Sequence, residues 1–523
     1  MAARNRQGWM WWCLICVAAW AGAGDGAAAQ DGYARQLAAE CDALVADAVR
    51  RPYGWAWDIA ALPPAGRSAT APRPVSMQPL ATPAAGLVLL YAGQLLDEQR
   101  YRQAAFEAAR GLAAAQTERG QIPRRAVFGS TASGQDEPAL LPDRGATRAG
   151  LALMLMVIDS SEPKPEALTR PAIRAARWLE SQQARDGGWH VAFPPEARPA
   201  HAKRLIRLDD PDYRDSTYAL LLSAEVTADR MTSHAAEQAV QKLLSLRLGT
   251  RHVAAEQPTA EELELIEQIK ATTVPTTTSQ PADAAAVDPL ARYLNAPRQA
   301  AGGADQQAVP ESDAIKANLW STAYRPNGAI DQSLEEFPAG ADVLASRYAM
   351  QTLLGAYLVT GQKQYGLALE AAARSLEQLR PPGEAQWRRA YLLDPTSRPT
   401  TESAGVFSPD PLPQGPWVTG TFGLESILRA VQELKVLGRA RYSSRLAEHL
   451  NVRQHLAAAA CGLLDDPLVL DLPLTRDEIP AYLARHEAEM RILSTPAPQD
   501  LPGRVRRLWL LLIRARLERM QQT

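Results

Sequence analysis

Three stretches of this chain repeat one another, and an internal repeat restricts the fold more tightly than composition does. Ala108-Ala109-Arg110-Gly111-Leu112 matches Ala175-Ala176-Arg177-Trp178-Leu179, and both match Ala372-Ala373-Arg374-Ser375-Leu376. Tyr101 and Tyr365 each stand seven residues ahead of their Ala-Ala-Arg. After each copy the helical pattern gives way to an irregular turn: QTERGQIP, QQARDGGWHVAFP and PPGEAQWRRAYL. Beside the copies lie AGLALMLMVID, STYALLLSAEV and VLASRYAMQTLLGAYLVTG, apolar over ten residues or more with few β-branched clusters. Runs of that length read as buried helices, and the repeats themselves, YRQAAFEAARGLAAAQ and YGLALEAAARSLEQL, read as their amphipathic partners. Aromatics are only 6% of the residues and strand signals are sparse. The chain is therefore expected to be all-α, a series of helical hairpins joined by short polar turns.

The turn after the second copy is the most informative. Asp186 and Gly187 are expected to end the outer helix, glycine supplying the left-handed conformation that helix C-termini favour. Gln182 or Gln183 would bond the freed carbonyls, and Trp189 would pack back over the turn.

Residues 1–30 read as a secretory signal: Arg4 and Arg6, then the short apolar run MWWCLICVAAWAGA, then small residues up to Gln30. This predicts a secreted or periplasmic protein with no stable membrane span once the signal is removed; a retained anchor is the alternative. Removing Arg4, Arg6 and Asp25 takes Lys+Arg from 56 to 54 and Asp+Glu from 58 to 57, a net charge of about −3. That balance argues against nucleic acid or a membrane surface as partner. Of the cysteines left, Cys41 and Cys461 would either bridge the two ends of the exported chain or stay as buried thiols. From about residue 249 to 316 the sequence is rich in Thr, Ala, Pro and Gln with Tyr293 as its one aromatic, and it reads as a mostly disordered insertion. The repeats on either side, residues 31–248 and 317–523, read as two parts of one closed structure.

Two stretches carry candidate chemistry where inner helices begin, since free N–H groups and helix dipoles favour anions there. In RLDDPDYRDSTYALLL, Asp209, Asp210, Asp212 and Asp215 fall within seven residues. Such clustering suits a hard cation such as Ca²⁺. The plainer reading makes Asp215 a helix cap and the others solvated loop residues. In AQWRRAYLLDPTSRPTTESAGVF, Trp387, Arg388, Arg389, Tyr391 and Arg398 combine aromatic and cationic groups. Rings can stack on a sugar face while guanidinium groups hold uronate carboxylates. The plainer reading packs the Arg stems on Trp387 and Tyr391 at the surface.

Taken together, the YxxAxxxAARxL hairpin, Gly-Gly-Trp, the acid-rich helix entry and RAYLLDPTSRPTTESAG resemble the pectic acid lyases of polysaccharide lyase family 10. The resemblance runs from Thr82 to Lys435 apart from the insertion. It implies an α/α toroid of the terpenoid cyclase and pectate lyase kind, and Ca²⁺-assisted β-elimination on an acidic polysaccharide. Asp209, Asp210 and Asp215 would be the calcium ligands. Arg389 and Arg398 would be the base and the carboxylate-binding group, in either order. Trp189, Trp387, Arg388 and Tyr391 would be the substrate-binding candidates. Two departures touch the calcium side: His190-Val191-Ala192-Phe193-Pro194 replaces the family's Pro-Gln-aromatic step, and Arg214-Asp215-Ser216 replaces its Asn-Asp step. Two alternatives stand beside this reading. One is a non-catalytic toroid binding a glycan or a partner protein. The other is a terpenoid cyclase or prenyltransferase relative, which needs a deep apolar cavity with an acidic proton donor. The sequence holds no HExxH pair, no Gly-x-Ser-x-Gly elbow and no phosphate loop. The basic amphipathic run Arg504–Met520 is expected to close the ring with its apolar face.

Overall fold

The computed structural model describes residues 32–58, 73–128, 144–193, 203–248, 318–325, 330, 340–380, 386–392, 419–465 and 473–522. The expected signal, the insertion and Arg398 lie outside these residues. Contacts divide the chain into a large unit, residues 1–250 with 316–523, and a small one, residues 251–315; every described residue belongs to the large unit.

That unit is an α/α toroid. Helix α1 (Gly32–Ala46) is followed by four hairpins: α2 (Thr82–Leu95) with α3 (Gln99–Ala115), α4 (Arg144–Asp159) with α5 (Glu166–Ser181), α6 (Asp212–Thr227) with α7 (Arg230–Ser245), and α8 (Val343–Thr360) with α9 (Lys363–Leu379). The first member of each hairpin is apolar on nearly all sides and lies inside; Thr82 to Gly93 of α2 are buried without interruption. The second member is amphipathic and lies outside, as the Ala-Ala-Arg repeat requires. Helix α10 (Leu424–Ala447) is broken at Gly438, where φ is 74° and ψ 161°. After it come α11 (Val452–Ala460), the short α12 (Ile479–Arg485) and α13 (Glu487–Met490), and α14 (Leu501–Gln522).

Inner helices pack in sequence order, α2 on α4, α4 on α6, α6 on α8 and α8 on α10. Helix α14 returns to α1 and α2, and Arg516 on α14 donates to the His449 carbonyl just beyond α10. The C-terminal helix packs with Val505, Leu508, Trp509 and Leu512 buried, the apolar face that its sequence suggested. Among the described residues no helix is long and apolar enough to cross a membrane. Helix α11 is placed unlike any other. It packs on α4, α6, α8 and α10, so it runs among the inner helices, and Leu456 to Cys461 have no exposed surface. Four successive alanines, Ala457 to Ala460, let the neighbouring backbones approach closely.

Small repeated devices fasten each hairpin to the next. Gln183 donates to the carbonyls of Gly187 (2.8 Å) and of Ala235 on the next outer helix (2.9 Å). Gln116 does the same one hairpin earlier, to Gly120 (3.0 Å) and Pro171 (2.9 Å). Of the two glutamines the sequence offered, Gln183 is the one used. Helix α5 stops at Ser181, earlier than expected, and Gly187 sits at φ 85° inside the turn that follows. Trp57, Trp320 and Trp387 each donate an indole N–H to a carbonyl in the last turn of an outer helix, Leu44, Leu243 and Leu376, at 2.8 to 2.9 Å. These are carbonyls a helix end leaves without an internal partner. Thr82, Thr147 and Ser346, all in the first turn or so of inner helices, accept the backbone N–H of Trp57, Ile122 and Trp320.

Cys41 and Cys461 do not form the bridge that export would allow. Both are free and buried, and burial raises both thiols well above their ordinary range.

The glycine of the Gln-stapled turn gives a direct check. A Cβ on Gly187 would stand 2.4 Å from the Gln238 carbonyl oxygen at a positive φ, whereas a Cβ on Gly438, also at positive φ, would meet nothing within 4 Å. Gly187→Ala is expected to cost roughly 3 kcal/mol or more, and Gly438→Ala about 1 kcal/mol, by urea denaturation. Equal losses would contradict the stapled turn.

Candidate functional site

Three consecutive inner helices, α4, α6 and α8, each carry an arginine within their first five residues: Arg148, Arg214 and Arg347. A charge in an otherwise apolar buried helix must find a partner, because its desolvation is costly. At this end of the ring, the mouth, all three do.

The inner part of the mouth is a chain of alternating charges. Arg148 reaches Asp212 and Asp215, the latter at 3.1 Å. Arg214 meets Asp215 at 2.7 Å, and its two terminal nitrogens meet the two oxygens of Asp465 at 2.8 and 2.9 Å. It also donates to Gln351 at 2.7 Å. Arg347 donates to Asp465 at 2.8 Å. The Tyr348 ring lies 5.1 and 5.0 Å from the guanidinium carbons of Arg214 and Arg347. The two acids that share Arg214 respond in opposite directions. Burial outweighs the arginines at Asp215 and lifts its carboxyl to about 6. Burial also acts on Asp465, but there Arg214 and Arg347 prevail and hold it below the usual carboxylate range. The difference follows exposure: the Asp215 side chain is 1% exposed and that of Asp465 29%.

The outer part is built by short strands. Lys203–Arg207 pairs antiparallel with Val191–Phe193 on one side and with Ala323–Tyr324 on the other, and it leads towards α6. Gly340–Asp342 pairs with Ala390–Leu392 and leads straight into α8. Asp342 caps α8 by accepting the Ala345 N–H at 2.7 Å, and its other oxygen accepts from Thr322 at 3.0 Å. Arg207 holds Asp209 at 2.6 and 3.0 Å. Arg389 approaches the same carboxylate at 3.9 Å and Asp342 at 3.4 Å, both long for an ion pair. Asp210 accepts the Asp212 N–H at 2.9 Å; burial, reinforced by the like charges of Asp212 and Asp209, pushes its carboxyl up to about 7.

The structure thus brings the Asp209–Asp210 turn and Arg389 together, although they are far apart in sequence. It does not bring the three aspartates onto one point. Asp209 faces Arg207 and Arg389, Asp210 is bound to a backbone N–H, and Asp215 lies deeper between Arg148 and Arg214. Asp215 is no helix cap either, since its carboxylate is taken by arginines. Among the described residues no group of three His, Cys, Asp or Glu side chains could hold a metal ion. Ca²⁺ takes six to eight oxygens, whereas Asp209 and Asp215 are paired with guanidinium groups and Asp210 is held by a backbone N–H. The expected calcium set does not fit.

The aromatic expectations are also corrected. Trp189 is 1% and Trp387 0% exposed. Their indole N–H groups are bound to Thr217 and to the Leu376 carbonyl. Neither ring presents a face to a sugar; both are core anchors. Arg388 and Tyr391 occupy strand positions opposite Thr419 and Ala341. Arg398 lies outside the described residues. The deep apolar cavity of a cyclase would have to lie where α11 runs. Two surface hollows of about 460 and 500 Å³ lie instead against α7 and α10. Sequence reasoning missed Arg148, Arg347, Tyr348 and Asp465. The available signal was arginine near the start of each of three buried apolar helices.

No protein-family model matches the chain, and no curated protein matches it in sequence. Among solved structures it is similar to cellobiose 2-epimerase from Spirochaeta thermophila, with 14% identity over 79% of this chain and 98% of that one, at a TM-score of 0.29. It is also similar to cellobiose 2-epimerase from Bacillus thermoamylovorans, with 10% identity over 77% and 100% and a TM-score of 0.30. At these scores neither assigns a role to any residue of the mouth.

If the inner network holds the mouth together, removing its shared arginine leaves two acids without their partner. Arg214→Met is expected to cost about 3–5 kcal/mol in chemical denaturation. A loss below about 1 kcal/mol would show that the network is dispensable.

Proposed function

We propose that this chain is an exported α/α toroid acting on an acidic polysaccharide at its mouth, by β-elimination that needs no metal. The observation that carries this reading is the meeting of Arg389 with the Asp209–Asp210 turn, where one carboxyl titrates near neutrality. A group with a pKa near the working pH is suited to proton transfer. Arg389 supplies the charge that the resembled family gives to Ca²⁺: it stands beside Asp209 and Asp342 at the mouth, where a uronate carboxylate would meet it. With that carboxylate neutralised, ionised Asp210 takes the C5 proton. The electron pair forms the C4–C5 double bond as the C4–O bond breaks, and the departing oxygen ends with a proton from protonated Asp210 or water.

A second reading, a toroid that holds a glycan without transforming it, is favoured by the helix that runs among the inner helices. One assay separates the two: absorbance of the unsaturated product formed from polygalacturonate in the presence of chelator. Turnover is expected with chelator present. It should rise as pH increases through about 7, because the base works in the ionised form and burial raises its pKa. Asp210→Asn should remove that inflection and lower the rate by about 10²- to 10⁴-fold. Polysaccharide binding without product would support the holding role, and turnover only with added Ca²⁺ would contradict the metal-free step.

A further inference from the structure

We propose that Arg214 and Arg347, with Tyr348 between them, form a carboxylate-binding site at the inner end of the mouth, which the chain fills with its own Asp465 and for which a uronate or other small carboxylate competes. This goes beyond the elimination reading, uses different arginines, and stands if that reading fails.

The clamp has the form of a site for a carboxylate. Arg214 grips both oxygens of Asp465 in the parallel two-bond arrangement that planar guanidinium and carboxylate groups favour. Arg347 adds a third bond to one of those oxygens. Behind them Gln351 fixes Arg214, the Phe422 carbonyl accepts from Arg347, and Tyr348 lies close to both guanidinium groups. The arginines belong to the interior: their side chains are 0% and 8% exposed, against 29% for Asp465. The anion, not the cations, thus faces outward.

The partners also differ in how firmly they are placed. Asp215 is locked into the first turn of α6, whereas Asp465 lies five residues beyond the end of α11. Among the described residues the Nε of Arg347 is buried without a hydrogen-bond partner, so Asp465 leaves one buried donor of the clamp unused. A carboxylate with neighbouring hydroxyl groups, as on a uronic acid, can reach that donor as well. Two buried guanidinium groups require an anion in this place, but nothing in their geometry requires that it be Asp465.

The test is calorimetric binding of galacturonate and of acetate to the full chain and to Asp465→Asn, which keeps side-chain size while removing the competing charge. Binding at least tenfold tighter than wild type is expected, and its loss in Asp465→Asn/Arg347→Ala. Acetate alone giving the full gain would mean that the clamp reads a bare carboxylate; a gain confined to galacturonate would mean that it reads the sugar too. As a second measurement, Asp465→Ala is expected to melt several degrees lower and to regain its Tm saturably with acetate, but not with chloride at equal ionic strength. Unchanged affinity in Asp465→Asn, equal binding by the double variant, or equal rescue by chloride would overturn the proposal.

Discussion

The inner part of the mouth is completed by one helix that runs among the inner helices and is held at both ends. At one end of α11, Arg453 meets Asp159 at the end of α4 (2.6 Å) and Glu225 near the end of α6 (3.6 Å). Beyond the other, Asp465 meets Arg214 and Arg347. Between the two fastenings the helix ends in four alanines, Ala457 to Ala460, whose small side chains allow close contact with α4, α6 and α8. Arg148 and Arg214 find Asp212 and Asp215 on α6, and this helix delivers the carboxylate that Arg214 shares with Arg347. Without Asp465, Arg347 would be a buried charge with no carboxylate beside it.

This arrangement also explains why the described carboxylates of the mouth do not converge on one point. Five arginines reach it, three from α4, α6 and α8, Arg207 from a strand and Arg389 from between two strands, and each described carboxylate there is either gripped by one of them or bound to a backbone N–H. Cations built into the chain thus balance most of the negative charge gathered there. The price is desolvation, visible in Asp215, whose carboxyl sits well above its ordinary value despite two guanidinium neighbours. Asp210 is the acid least compensated by a cation, and it is the one whose protonation lies nearest neutrality.

Much of the fold was legible in the sequence, because its signals are local. The apolar and amphipathic runs map onto α4, α6 and α8 and their outer partners, and the Gln and Gly of the turn after α5 do what their chemistry suggests. The boundary error at Ser181 came from reading Gly187 as a helix cap when it belongs to the following turn. The site was legible only in part. Asp209 precedes α6, and Arg389 comes within 3.9 Å of it because its neighbouring strand pairs with the one that leads into α8. What the sequence could not convey was which side chains point inward: Trp189 and Trp387 looked like sugar platforms and are hydrogen-bonded anchors, and Asp215 looked like a cation ligand and is an arginine partner. Asp465 was invisible for a different reason. Its importance comes from a helix that crosses to non-sequential neighbours, and no local pattern encodes that crossing.

The most direct measurement is backbone amide hydrogen exchange along α11. A helix enclosed by α4, α6, α8 and α10 can exchange its amides only when the ring opens, so Ala457 to Cys461 should be among the slowest residues of the protein, slower than the outward faces of α3 and α5. Exchange of those amides as fast as in the outer helices would place α11 outside the ring and remove the basis of the mouth described above.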